Sequence, residues 1–186
     1  MSRAALVLLI FTIAISAQQL TPQQWAAADQ QVRRLKPADF PQLPAPVRTE
    51  LERRGCTVPQ VPMVNGPHNV IQGEFAKPGQ TDWAVLCSIG RISSILVFWN
   101  GSSVNPAEIA KAKDVDRLQS WGGEKIVYSW MIAPIGSKQI TEYYSAFGGE
   151  TPPPMDHQGV DDIFYGKASV VQYFYHGKWL HLTGAD

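Results

Sequence analysis

A chain of 186 residues, 45 % apolar and 17 % charged, is long enough for one domain with a substantial core and too apolar to stay disordered. Sixteen basic side chains balance sixteen acidic ones, and no basic run exceeds a pair (Arg33-Arg34, Arg53-Arg54). That balance excludes the charge footprint of a nucleic-acid binder or of a protein drawn to anionic membranes.

The first residues bear on the compartment. Arg3 is the only charge before Asp29, an apolar stretch runs from Ala4 to Ile15, and small residues follow at Ala14, Ser16 and Ala17. This is the grammar of a secretory signal over residues 1–17, cleaved after Ala17 or, as the neighbouring option, after Ser16. The apolar stretch is far short of the ~20 residues that span a bilayer. The mature chain is therefore expected to be secreted or periplasmic, with no membrane span. Loss of Arg3 leaves 15 basic against 16 acidic side chains.

"TPQQWAAADQQVRRL" predicts a helix, with Thr21 as cap, Pro22 in the first turn and Gln24 completing a capping box. Trp25, Ala28, Val32 and Leu35 recur on one face, and Pro37 should end it. "PVRTELERRG" predicts a second, short helix that stops at Gly55. Seven of the fourteen prolines fall between Pro37 and Pro67, so this region should wrap the fold without pairing in a sheet. Residues 18–68 thus read as a helical, proline-rich collar, and 69–186 as the β-rich core of the same single domain.

From Asn69 the period becomes two. "NVIQGEF", "TDWAVLCSI" and "ISSILVFWN" are rich in β-branched and aromatic residues, with Gly90-Arg91 as a hairpin turn. Both faces of "SSILVFW" are apolar, which places that strand centrally. "PAEIAKAKDVDRL" predicts a helix opened by Asn105 and Pro106, and "KIVYSWMIA" a strand. "SKQITEYYSAF" predicts another helix, ended by Gly148-Gly149. "KASVVQYFY" and "KWLHLTG" close the chain as a hairpin around His176-Gly177. The expected class is α+β: an antiparallel sheet core, an N-terminal helical collar and two further helices.

In an oxidising compartment Cys56 and Cys87 are expected to pair, closing a loop of about 30 residues. Cys87 should share a strand face with Trp83 and Val85, on the side the collar covers.

"GEFAKPGQTDWAVL", residues 73–86, resembles the FG-GAP/VCBS-type motif of secreted proteins, GDFNGDGKxDLAV. A looser likeness extends to "DHQGVDDIFYGKASVVQYFYHGKW", which is similar to the closing hairpin of small exported bacterial proteins. The resemblance implies a strand–loop–strand and, in the family, a calcium loop. Here Glu74 and Asp82 keep the first and last acidic positions, but Ala76 and Pro78 replace the two middle oxygen donors. Calcium asks for six or more oxygens, so the expectation is no cofactor. Asp82 should instead cap the turn by accepting backbone N–H groups.

Other candidates for chemistry are few. Asp156, His157, Asp161 and Asp162 in "MDHQGVDD" could bind a metal or act as acid and base, or simply form a hydrogen-bonded turn. No Gly-x-Ser-x-Gly elbow, P-loop or dinucleotide-binding glycine motif is present. His68 and His176 read as loop residues, His181 as a strand residue, and the Asn100-Gly101-Ser102 sequon as a turn. Trp99, Trp121, Tyr143 and Tyr144 lie beside glycine loops and could stack on sugars or peptides, or fill the core. The leading expectation is an exported, non-enzymatic interaction module for a protein, glycan or small ligand. The alternatives are a secreted hydrolase using the Asp156–Asp162 loop and a carbohydrate- or peptide-binding module using the loop aromatics.

Overall fold

The computed structural model describes residues 19–123 and 125–186. The expected signal segment, residues 1–17, lies outside them.

The capping box forms as the sequence predicts. The Thr21 hydroxyl accepts from the Gln24 N–H at 3.3 Å, the Gln24 side chain accepts from the Thr21 N–H at 2.7 Å, and α1 runs Pro22–Gln31. It ends at Gln31, short of the expected stop at Pro37, so Val32 and Leu35 of the predicted stripe fall outside it. Strand β1 (Arg34–Leu35) breaks away to pair antiparallel with β2 (Val58–Pro59), so the proline-rich wrap does contribute a short ladder. Between them lies α2, Ala45–Arg53, which buries Val47 and Leu51 and stops short of Gly55.

Four strands build the first large sheet, in the order β3 (Val70–Gly73), β4 (Asp82–Ile89), β5 (Ile92–Phe98) and β6 (Ala107–Lys113). The β4–β5 turn has both central residues at positive φ, Gly90 at 57° and Arg91 at 65°, the combination that matches the right-handed twist of a two-residue hairpin. The helix expected from Asn105 to Leu118 is not formed. Residues 107–113 pair with β5 as an edge strand, and only Asp114–Arg117 coil, as a single 3₁₀ turn. The ladder needs a partner for the outer edge of β5, and Ile109 and Ala107 supply the alternating half-buried face. Tertiary pairing overrides the helical preference of Ala, Glu and Lys.

The predicted strand over 125–133 is divided. A short hairpin, β7 (Leu118–Ser120) with β8 (Ile126–Tyr128), precedes β9 (Trp130–Ile135). Helix α3 (Ser137–Phe147) follows as expected, then β10 (Gly159–Phe164), β11 (Ala168–Tyr175) and β12 (Lys178–Thr183). The second large sheet runs β12-β11-β10-β9, every pair antiparallel. The described residues thus form an α+β fold with three α-helices, α3 alone standing where two further helices were expected.

Side-chain alternation stacks these pieces in layers. Trp83, Val85, Cys87, Leu96 and Phe98 point to one side of the first sheet and meet Phe40, Leu43, Val47 and Leu51 of the collar. Ala84, Leu86, Ile95 and Val97 point to the other, against Trp130, Ile132 and Val160 of the second sheet. On that sheet's far side, Ile135, Val171, Tyr173 and Leu182 cover Ile140 of α3. The order is α2 with its flanking loops, sheet, sheet, α3, while α1 packs Trp25 and Ala28 against the inter-sheet core. Cys56 and Cys87 are disulfide-bonded with Cα atoms 5.4 Å apart, joining the end of α2 to β4 within the collar-side core.

Candidate functional site

The loop between β3 and β4 is organised by Asp82, which is fully buried. Its Oδ2 accepts from the backbone N–H groups of Phe75 (3.0 Å) and Ala76 (2.9 Å), and its Oδ1 from the Gln80 amide (2.7 Å) and the Asn100 N–H (2.8 Å). The expected turn cap is there, and it engages four donors. Glu74, the other candidate, is held through its backbone: its N–H donates to Gln158 Oε1 at 3.0 Å and its carbonyl accepts from the Gln158 N–H at 2.9 Å. Gly73 is required beside it, since an added Cβ would lie 2.6 Å from the Phe75 ring. The two segments singled out in the sequence therefore meet, as a structural joint.

The Asp156–Asp162 segment is not one turn. Gly159–Phe164 is strand β10, and alternation sends its two carboxylates to opposite faces. Asp162 faces the first sheet, accepting from the Trp130 indole at 2.6 Å and the Gln172 amide at 3.2 Å. Burial raises its pKa, opposed by Arg117, whose guanidinium lies over the Trp130 ring. Asp161 faces α3. Burial raises its pKa too, the Ser169 hydroxyl opposing and Asp162 adding to the shift. Its Oδ1 has no partner. His157 is buried with its ring edge-on to Tyr173 at 4.5 Å, and Asp156 is exposed, 3.9 Å from His157 Nδ1. The four residues do not converge on one space. Among the described residues no group of three or more His, Cys, Asp and Glu is arranged to hold a metal.

The aromatic candidates divide into packing and surface. Trp99 stacks on Trp179 (5.9 Å) and tilts against Phe174 (4.9 Å), filling the edge of the inter-sheet core. The Tyr144 hydroxyl is within 3.2 Å of Thr151 Oγ1. Trp121 is 42 % exposed, with Tyr165 at 6.2 Å and the Gly166 backbone so close that a Cβ there would lie 3.0 Å from its ring. It borders an open cleft of about 470 Å³ with Gln119, Ser120, Gly166 and Lys167. Tyr143 borders a second, of about 390 Å³, with Asp161, Phe164, Ser169 and again Gly166 and Lys167. The two clefts are neighbours across the β10–β11 turn.

Sequence reasoning missed a buried charge network. Asp114, fully buried, accepts from Arg34 (2.7 Å), Ser88 (2.6 Å) and Ser93 (2.5 Å). Asp29 on α1 accepts from Arg34 (2.9 Å) and Arg91 (2.8 Å). Burial opposes the Arg34 charge, and Asp114 and Asp29 more than offset it, raising its pKa. Nothing local marks these residues: Arg34 lies 80 positions from Asp114. Asn69 was missed as well. At φ 70° and fully buried, its amide donates to the carbonyls of Pro59 and Trp130 and accepts from the Ile132 N–H, locking collar and second sheet together.

Comparison with family models, curated proteins and solved structures finds no match to this chain. The likeness to the FG-GAP-type motif therefore rests on residues 73–86 themselves.

Proposed function

We propose that the protein is an exported, non-enzymatic interaction module that binds a glycan or peptide on the face centred on Gly166 and Lys167. The observation that carries this reading is the adjacency of the two open clefts, one walled by the exposed Trp121 and the other by Tyr143. A large exposed indole held by its neighbours offers contact area at little ordering cost. The Cys56–Cys87 bridge supports an oxidising compartment. So does the signal-like start. No described helix is long and apolar enough to cross a membrane.

The FG-GAP-like loop serves here as a structural joint, with Asp82 bound by N–H donors in place of calcium. The alternative of a hydrolase using the Asp156–Asp162 loop is less favoured, because Asp156, His157, Asp161 and Asp162 do not converge and β10 turns Asp161 and Asp162 apart.

Glycan and peptide arrays probed with the wild type and with Trp121→Ala test the proposal. The variant should fold normally, because the indole is half exposed, and should lose the wild type's binding. Unchanged binding by Trp121→Ala would refute it.

A further inference from the structure

Asp161 is 8 % exposed, and its Oδ1 has no hydrogen-bond donor. Buried carboxylate oxygens in folded proteins are almost always paired, because an unpaired one has given up its water for nothing. Asp161 lines the cleft of about 390 Å³ between α3 and the β10–β11 turn, together with Tyr143, Phe164, Lys167, Ser169 and Asp186. The one ammonium nearby does not serve it. Lys167 Nζ lies over the Phe164 ring, 4.9 Å from its centroid, and leaves Oδ1 unpaired.

We propose that this cleft binds a primary ammonium group, carried by a free amine or by a lysine side chain of a peptide, with Asp161 as its acceptor and Tyr143 and Ser169 beside it. The two carboxylates of the lining disfavour an anion. An ammonium brings three N–H donors and full charge to an oxygen that lacks a donor. The face of an aromatic ring attracts cations, and Tyr143 borders the cleft. The space is of small-ligand size. Burial raises the Asp161 pKa, as expected of a carboxylate without a counter-cation, and an arriving ammonium would lower it. The site lies within the face of the proposed function and rests on that reading, and the amine titration reads this cleft alone, so its failure is distinguishable from a failure of glycan or peptide binding at Trp121.

Amide chemical shifts of the full mature chain, titrated with n-butylammonium, with a blocked lysine tripeptide and with n-butanol as the uncharged control, test the proposal. Both amines should give saturable shifts at Tyr143, Asp161 and Ser169, and n-butanol should not. Asp161→Asn should weaken amine binding by about tenfold or more, the loss of one charged hydrogen bond. Tighter binding of the tripeptide would assign the source to a peptide, and of n-butylammonium to a free amine. An equal response to n-butanol, shifts away from the cleft, or undiminished binding by Asp161→Asn would overturn the proposal. Should the Asn variant unfold, the wild-type shift map and the n-butanol control decide alone.

Discussion

Asp82 accepts four hydrogen bonds from four different residues, two of them backbone groups of the loop it closes. Asp82→Ala would leave the buried Phe75 N–H without a partner and free the loop, so unfolding stability should fall by about 2–4 kcal/mol, read from urea midpoints. A loss below about 0.5 kcal/mol would mean that the loop is held by other contacts. His68 makes a second test at this scale. Its Nε2 accepts from the Val61 N–H at 2.7 Å while Nδ1 faces the Gly66 carbonyl at 3.0 Å, an arrangement of the neutral ring. Burial lowers its pKa, with Arg33 acting in the same direction and the Gly66 carbonyl against it. A depressed folded pKa gives stability that is present above the ordinary histidine value of about 6.5 and is lost as pH falls through the folded value. Asp161 and Asp162, both raised by burial, act with the opposite sign: their contribution is present at low pH and is lost as pH rises through their folded values. The difference between wild type and His68→Ala therefore isolates the histidine. Between about pH 7 and about pH 5 that difference should shrink, and a constant difference would contradict the assignment. Asp82 was legible from its place at a turn; Asp114 was not, because Arg34, Ser88 and Ser93 reach it only through the fold.

Among the elements, those whose signals are local came through the sequence clearly. The capping box of α1, the period-two runs of β4 and β5, and the two hairpin turns depend on residues a few positions apart. What failed were segments decided at long range. Residues 107–113 carry helix formers but serve the edge of β5, where Glu108, Lys111 and Lys113 keep an exposed edge charged. Ala110, at φ 54°, sits beside the register shift opposite Ser93 and Ile95, a local irregularity that the composition does not announce. Likewise β10 looks like a polar turn, since Asp161 and Asp162 hide its alternation. The disulfide belongs to this scale because it joins α2 to β4 across a separation of 31 residues. Replacing both cysteines with serine should lower stability by about 3–4 kcal/mol on the chain-entropy account. Equal stability of the two forms would show that the collar is held by packing alone.

Across the whole molecule, four layers share three apolar cores, and Asn69 bridges the layers where the collar, the first sheet and the second sheet meet. Two of the carboxylates singled out in the sequence are consumed by this architecture: Asp82 holds its loop and Asp162 ties β10 to Trp130 and Gln172. The Trp121–Lys167–Tyr143 face carries two open clefts that this packing leaves unfilled. Sequence marked Trp121 and Tyr143 as candidates, but their adjacency depends on the β10–β11 turn lying between them. The proposed export makes its own prediction. N-terminal sequencing of protein recovered outside the cytoplasm should begin at Gln18, or at Ala17, and an intact Met1 would contradict export through a cleaved signal.

The proposed ligand engages the face around Gly166. Amide shifts recorded while adding the glycan or peptide selected on the arrays locate the contact directly. Changes are expected at Trp121, Tyr165, Gly166 and Lys167, with little at Asp156 and His157. Changes centred on Asp156 and His157, with Trp121 silent, would contradict it.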